Sequence, residues 1–120
     1  MSKKTVVLGA SENPSRYSYL AVNKLRAYGH TVVAIGNKKG AIGDVVITTE
    51  RPDEKDIDTV TLYLNPQLQQ QYYDYILSLK PKRIIFNPGT ENDELEELAT
   101  SNGIQAMEAC TLVLLGTGQY

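Results

Sequence analysis

Short apolar runs alternate along this chain with amphipathic stretches of helical period. The run Thr5–Leu8 predicts a buried strand, and the stretch Leu20–Tyr28, which Gly29 follows, predicts an amphipathic helix with a glycine after its last turn. Thr31–Ile35 predicts a second strand, so the chain opens with one β-α-β unit. The residues expected on the buried stripe of the helix are Ala21, Val22, Leu25 and Tyr28.

The alternation continues through the second half of the chain. Further strands are predicted at Thr59–Leu64, Arg83–Phe86 and Ile104–Met107. Asn65 and Pro66 are the residue types preferred at an N-cap and in a first helical turn. The inward residues predicted for this second helix are Leu68, Tyr72, Ile76 and Leu79, and those predicted for a third helix, capped by Gly103, are Leu95, Leu98 and Ala99.

Two segments have weaker patterns. Lys38–Lys55 contains glycines and polar residues, so we expect a connecting loop with a single helical turn, and Val45–Thr48 is an alternative short strand within it. The segment Gly116–Tyr120 is expected to fray.

Strands that alternate with helices predict a parallel sheet covered on both faces by right-handed crossovers. A length of 120 residues is that of one domain. We therefore expect a single α/β domain over residues 1–120, with a doubly wound, Rossmann-like sheet of five parallel strands in the order 3-2-1-4-5.

Composition and charge exclude several classes of protein. The net charge of -2 and a pI near 5.3 argue against a nucleic-acid surface, which needs many cations at phosphates. The apolar runs are too short to span a bilayer, and the first residues lack a secretory signal, so a soluble, cytoplasmic protein is expected. One cysteine, Cys110, and one histidine, His30, cannot build the usual zinc sites, so no metal is expected.

No catalytic group is assigned. Cys110 is expected to be a small buried residue, and His30 follows the first helix, which puts it at the opposite, amino-terminal edge of the sheet. A cysteine-histidine pair is therefore not expected.

The stretch from Gly9 to Ser18 carries the main functional signal. A strand here runs through Gly-Ala-Ser into the start of a helix, where backbone N–H groups lack partners and carry partial positive charge. Such a junction is a site for phosphate, so we expect a phosphorylated ligand.

The residues around this loop restrict the class of phosphorylated ligand that the site would bind. The dinucleotide fingerprint needs glycines where the chain has Ser11 and Pro14, and the end of the second strand, Gly36–Lys39, offers two ammonium groups and no carboxylate for a ribose. A phosphorylated ribose fits better, as in NADP or coenzyme A. Charge-assisted contacts are expected from Arg16 and from Lys38 or Lys39, and the candidate walls for an adenine are Tyr17, Tyr19 and Tyr63.

Ligands of open parallel sheets bind at the carboxyl ends of the strands, where the strand order reverses. In the predicted order that point lies between strands 1 and 4. The loops expected to meet there are Gly9–Ser18, Gly36–Gly40, Tyr63–Pro66 and Asn87–Thr90.

Four motifs point together to a family. They are G-A-S-x-N-P-S-R-Y-S at Gly9–Ser18, N-P at Asn65–Pro66, N-P-G at Asn87–Gly89 and E-A-C at Glu108–Cys110. Over nearly the whole chain this combination resembles the small bacterial CoA-binding proteins, which are single domains similar to the CoA-binding domain in the α subunit of succinyl-CoA synthetase.

The resemblance implies a Rossmann-like fold with a CoA site formed by the first loop, the end of strand 2 and the turns after strands 3 and 4. The cofactor-binding residues that it implies are Gly9, Ala10, Ser11, Arg16, Ser18, Lys38, Asn65, Pro66, Pro88 and Gly89. The chain departs from the family at Ile35–Asn37, where V-N-P is usual, and at Leu64–Asn65, where a basic pair is usual.

The expected function is binding of coenzyme A or an acyl-CoA without catalysis by the chain itself. Two other functions are open: an NADP-binding, oxidoreductase-like domain, and a regulatory or interaction subunit with a vestigial nucleotide site. The expected partner is a small nucleotide cofactor rather than nucleic acid or membrane. A homodimer and an association with a larger enzyme are both open.

Overall fold

A computed structural model describes residues 2–120. The strands are β1 (Thr5–Leu8), β2 (Val32–Ile35), β3 (Gly40–Ile42), β4 (Val45–Thr48), β5 (Thr59–Leu62), β6 (Arg83–Phe86) and β7 (Gln105–Glu108). The α-helices are α1 (Tyr17–Ala27), α2 (Pro66–Gln69), α3 (Tyr73–Leu79), α4 (Asp93–Ser101) and α5 (Thr111–Gly116), with a 3-10 turn at Gln70–Tyr72. The predicted α/β, Rossmann-like class is confirmed.

The strands form one sheet in the order β3-β4-β2-β1-β5-β6-β7, in which every neighbouring pair is parallel except β3 with β4. The predicted count of five strands and the order 3-2-1-4-5 are wrong. The strand predicted as third, β5, pairs directly with β1, with Thr5 opposite Thr59. The place outside β2 belongs to β4, where Ala34 lies opposite Ile47.

The segment expected to be a loop with a helical turn contains the hairpin of β3 and β4 instead. Ile42 lies opposite Val45 across its turn, and Gly43 there has a φ of +58°, which glycine adopts without strain. Val45 and Ile47 are buried while Val46 is 73% exposed, the period-two pattern of a strand with one apolar face. The alternative of a strand at Val45–Thr48 is thus confirmed, and the helical turn was wrong.

Helix α1 buries Ala21, Val22 and Leu25 as predicted, but Tyr28 is 53% exposed. Tyr28 is the C-cap, and Gly29 after it turns the chain away with a φ of +84°. The chain therefore leaves the helix before Tyr28 can reach the core.

No helix within residues 2–120 has the length and apolarity needed to cross a membrane.

The second predicted helix is interrupted. The 3-10 turn between α2 and α3 has about three residues per turn, which shifts the helical phase, so Leu68 does not share the buried face of Ile76 and Leu79. Leu68 is 47% exposed and Tyr72 is half-buried, while Gln69 is completely buried. The third predicted helix, α4, buries Leu95 and Ala99, with Leu98 half-buried.

Two apolar layers cover the two faces of the sheet. Alternate strand residues such as Leu8, Leu62 and Phe86 pack in one layer with residues of α3 and α4. The other layer joins Val7 and Ile47 to residues of α1, α5 and the hairpin. Side chains of successive strand residues point to opposite faces, so β1 and β2 contribute to both layers.

The end of the described chain is held in place, contrary to the expectation that Gly116–Tyr120 frays. The Tyr120 hydroxyl lies 2.6 Å from Thr5 Oγ1, and its ring stacks under the guanidinium of Arg83 at 4.4 Å. The ring of His30 lies 5.0 Å from the Tyr120 ring. An aromatic anchor therefore fixes the segment against the amino-terminal edge of the sheet, where burial offsets the entropy of ordering it.

The strand order reverses between β1 and β5, not at the predicted junction of strands 1 and 4. From β1 the chain moves to β2 and β4 on one side, and then crosses to β5 on the other. The loops that leave the carboxyl ends of these two strands diverge, which opens a crevice between them.

Candidate ligand-binding site

A cleft of about 730 Å³ occupies the carboxyl edge of the sheet at this reversal. The four loops expected to meet there all contribute to it. Its lining comprises Gly9, Ala10, Ser11, Ser15, Arg16, Tyr17, Ser18, Gly36, Asn37, Tyr63, Leu64, Asn65, Leu68, Gln71, Tyr72, Pro88, Gly89 and Thr90. Of these side chains only arginine carries a formal charge at neutral pH, so the cleft favours an anion.

The first loop passes very close to the end of β5 at Gly9. Gly9 has a φ of +94°, and a Cβ there would lie 2.9 Å from the carbonyl carbon and oxygen of Tyr63. The N–H groups of Gly9 and Ala10 both donate to the carbonyl of Ile35 at 2.9 Å. A glycine is required here for its conformation and for lack of space.

Asn13 organises the rest of this loop. Its Oδ1 accepts from the N–H of Ser15 at 3.0 Å, and its carbonyl accepts from the N–H of Arg16 at 3.0 Å. The N–H of Asn13 donates to Ser11 Oγ at 3.1 Å. Side-chain bonds of this kind favour a turn over helix or strand, so the loop has a defined shape before α1 begins.

Several main-chain donors in the cleft are free. The N–H groups of Ser11, Tyr17 and Ser18 have no hydrogen-bond partner in the part of the chain that the structure describes. Arg16 is the N-cap of α1 and makes no side-chain capping bond. The helix therefore presents its positive end uncapped to the cleft.

The opposite wall is built by α2 and the loops beside it. Asn65 Oδ1 caps α2 by accepting from the N–H of Leu68 at 3.0 Å. The buried amide of Gln69 donates to the carbonyls of Leu64 and Thr90, both at 2.8 Å. Gln69 therefore ties the loop after β5 to the turn after β6, which sets the width of the cleft on this side.

Gln69 is a structural residue that the sequence did not reveal. It lies among the glutamines of Gln67–Gln71, a residue type typical of a solvated helix face. Its Oε1 accepts from the side chain of Asn92 at 2.9 Å, so all its hydrogen-bonding groups are used although it is buried. Only the tertiary meeting of two loops makes this glutamine distinctive.

Asn87 fixes the turn that follows β6. Its Nδ2 donates to Thr61 Oγ1 at 2.6 Å and to the carbonyl of Leu62 at 2.9 Å, and its Oδ1 accepts from the N–H of Thr111. This buried side chain joins β5, β6 and the start of α5. The following Pro88 and Gly89, which line the cleft, therefore stand on a rigid base.

Two polar groups of lining residues differ in their hydrogen bonding, the N–H of Gly89 and the hydroxyl of Tyr63. The N–H of Gly89 donates to the Glu91 carboxylate at 2.9 Å, so an acid already occupies one amide of the cleft. The Tyr63 hydroxyl is buried and has no hydrogen-bond partner among residues 2–120. Burial raises the pKa of this phenol, so it stays a neutral donor at physiological pH.

A family model described as a CoA binding domain matches residues 3–116. The chain belongs to this CoA-binding domain family. No match is found among curated proteins.

Solved structures share the fold of this CoA-binding domain. A crystal structure described only as an uncharacterized protein is 52% identical, with a TM-score of 0.97, and covers 100% of this chain and 99% of its own. A hypothetical protein from Pyrococcus horikoshii OT3 is 24% identical, with a TM-score of 0.83 and coverage of 93% and 80%. An oxidoreductase from Bacillus cereus is 14% identical, with a TM-score of 0.59; the match covers 89% of this chain and 34% of the oxidoreductase.

The structure brings most of the predicted site residues together. Those that line the cleft are Gly9, Ala10, Ser11, Arg16, Ser18, Asn65, Pro88 and Gly89. Lys38 and Pro66 do not line it: Lys38 is exposed beyond Asn37, and Pro66 lies in the first turn of α2.

Among the candidate aromatic walls, Tyr17 and Tyr63 line the cleft, whereas Tyr19 packs against the core layer under α1. Leu68, Gln71 and Tyr72 also line the cleft, although the sequence pattern did not predict them there. They lie here because the helix is interrupted at the 3-10 turn.

The other candidate groups lie apart from the cleft lining. Cys110 is half-buried at the N-cap of α5, rather than buried as expected. His30 accepts a hydrogen bond from the N–H of Lys3, just before β1, which puts it at the amino-terminal edge as predicted. Carboxylate oxygens of Asp93, Glu96 and Glu108 lie within 4.8 Å of one another on a separate surface.

Proposed function

We propose that the chain binds coenzyme A or an acyl-CoA in this cleft, with the diphosphate at the first loop and the start of α1. The observation that carries the proposal is the set of free N–H groups at Ser11, Tyr17 and Ser18, in a cleft that belongs to a CoA-binding domain family. Oriented amides at a helix start suit a diphosphate, because they replace the hydrogen bonds that its oxygens make with water.

The size of the binding free energy indicates that groups other than the helix start must contribute to it. A helix terminus contributes about 0.3–1 kcal/mol, and up to about 2 kcal/mol when partly buried. Micromolar binding needs about 8 kcal/mol. Arg16 adds charge-assisted hydrogen bonds of about 1.5–3 kcal/mol, and the apolar surfaces of Tyr17, Leu68 and Tyr72 offer area for the uncharged parts of the ligand.

The remaining residues implied by the family extend the site. Lys38 and Pro66 directly follow the lining residues Asn37 and Asn65 in the chain, so both border the proposed site. Lys38, on an exposed loop after β2, is suited to a phosphate on the ribose.

We propose binding without catalysis by the chain itself. The cleft lining contains no aspartate, glutamate, histidine, cysteine or lysine within the described residues. General acid-base chemistry near neutral pH relies on such groups, or on a phenol with a lowered pKa, whereas burial raises the pKa of Tyr63.

Isothermal titration of the purified chain with coenzyme A tests the proposal. We expect Arg16→Ala to weaken binding by about 10- to 100-fold, because it removes the cation of the cleft. Lys82→Ala is the matched control: it removes one positive charge from an exposed position before β6 and should leave the affinity unchanged.

Parallel titrations with NADPH and with acetyl-CoA define the ligand class. Tighter binding of NADPH than of coenzyme A would favour the oxidoreductase-like alternative. Lack of measurable heat with millimolar coenzyme A, acetyl-CoA and NADPH would favour a vestigial site.

A further inference from the structure

The first loop contacts two glycines beside it, Gly36 directly after β2 and Gly40 at the start of β3. A Cβ on Gly36 would overlap the carbonyl oxygen of Ala10, and a Cβ on Gly40 would overlap the carboxyl group of Glu12. Neither glycine has a positive φ. Space for the loop, rather than backbone freedom, is therefore what these two positions require.

The contact of Glu12 is also a hydrogen bond. Its Oε2 accepts from the N–H of Ala41 at 2.9 Å, across 29 positions of the chain. Ala41 belongs to β3, the outermost strand at this side of the sheet. The carboxylate thus accepts a hydrogen bond from the hairpin and joins the hairpin to the loop that contains Ser11.

A direct ligand contact does not explain this carboxylate. Glu12 is absent from the cleft lining, although Ser11 beside it is present. A negative charge so near an anion site opposes binding. The role of a glutamate at this position is therefore to accept the hydrogen bond from the N–H of Ala41.

We infer that Glu12 is a positioning residue: its hydrogen bond to Ala41 holds the first loop in the shape that presents the Ser11 amide to the ligand's diphosphate. The ligand part of this inference rests on the proposed function. The restraint on the loop does not, because the hydrogen bond from Ala41 to Glu12 is a contact within the chain itself.

Three variants separate the hydrogen bond from the charge. Glu12→Ala removes both, whereas Glu12→Gln keeps an acceptor oxygen and removes the charge. Gly40→Ala leaves the glutamate intact but fills the space of its carboxyl group, and this group can move because it ends a flexible side chain. Glu97→Ala, at an exposed position on α4, is the matched control for charge.

The first readout is hydrogen exchange of the ligand-free protein. Glu12→Ala and Gly40→Ala should each speed exchange in peptides covering residues 10–16 by about threefold or more, while Glu12→Gln and Glu97→Ala should not. In the double variant, Gly40→Ala should add nothing to Glu12→Ala, because both break one contact. Unchanged exchange in Glu12→Ala, or equal acceleration in Glu12→Gln, overturns the inference.

The second readout is the affinity for coenzyme A. Glu12→Ala and Gly40→Ala should weaken it by about 3- to 10-fold, and Glu12→Gln should match or exceed the wild type because it removes a repulsive charge. Wild-type affinity in Glu12→Ala overturns the positioning role. If the wild type itself does not bind coenzyme A, the proposed function fails, while the exchange experiment still decides whether Glu12 restrains the first loop.

Discussion

The amino-terminal and carboxyl edges of the sheet differ in whether their polar groups are hydrogen-bonded within the chain. At the amino-terminal edge, the Arg83 guanidinium donates to Thr59 at 2.7 Å and to the carbonyl of Tyr120 at 3.0 Å, and the Tyr120 ring covers it. At the carboxyl edge, the amides of Ser11 and Ser18 have no partner among the described residues.

This contrast separates the polar groups that stabilise the fold from those that are free to bind a ligand. Buried polar groups that are satisfied internally stabilise a fold, whereas oriented donors left free give up that stability and keep their binding capacity for a ligand. We therefore expect changes at the amino-terminal edge to alter stability alone. Changes at the carboxyl edge should alter binding as well.

The largest effect on stability and binding is expected for Gly9→Ala, which changes the carboxyl edge. The new Cβ would be strained at a φ of +94° and would lie 2.9 Å from the backbone of Tyr63. We expect a loss of about 2–5 kcal/mol in the free energy of unfolding, measured in urea, together with loss of coenzyme A binding.

Gly29→Ala is the control for this variant. Gly29 has a φ of +84°, but nothing lies within 4 Å of its missing Cβ. Its cost should be about 1–2 kcal/mol, from backbone strain alone, with binding unchanged. Equal losses in the two variants would show that the close approach to Tyr63 contributes nothing.

The next effect is expected at the amino-terminal edge. Tyr120→Ala removes the ring stacked on Arg83 and the hydroxyl contact with Thr5, so we expect a loss of about 2–3 kcal/mol in unfolding free energy. The exposed Tyr28 is the matched control, and Tyr28→Ala should cost less than about 0.5 kcal/mol. Coenzyme A affinity should be the same in both variants. A weaker affinity in Tyr120→Ala would show that the two edges are coupled.

The smallest effect is expected from the titration of His30. Burial, and then the positive charges of Lys3 and Arg83, lower the pKa of this imidazole below its ordinary value of 6.5, against a smaller opposing effect of Asp58. The unfolded chain therefore binds the proton more readily than the folded chain. Stability should fall as the pH drops below 6.5 towards the folded-state pKa.

Urea unfolding of the wild type and His30→Gln at pH 7.5 and 5.5 checks this sign. The stability advantage of the wild type over the variant should shrink at the lower pH. An advantage that is constant, or that grows on acidification, would contradict the assignment.

Much of the fold was predictable from local pattern. The β-branched runs located β1, β2, β5 and β6, since such residues suit buried parallel strands. The strand order was not predictable in the same way, because pattern indicates that a segment is a strand but not which strand it pairs with. Val45–Thr48, set aside as an alternative, takes the place assigned to Thr59–Leu64.

The site was predictable as far as it depends on loops at strand ends. Gly9, Arg16 and Pro88 meet in the cleft because parallel strands end at one edge, whatever their order. Gln69 was missed because its role depends on two loops that meet only in three dimensions. Tyr120 was missed for the same reason, since its partners, such as Arg83, are distant in the chain.

The two outermost strands limit how this domain can associate. β3 has only three residues and starts at a glycine, and one of its amides is already held by Glu12. At the other margin, β7 has the sequence QAME and exposes Gln105 and Glu108. Short or charged borders are poor templates for added strands. The two border strands therefore disfavour continuation of the sheet into another molecule.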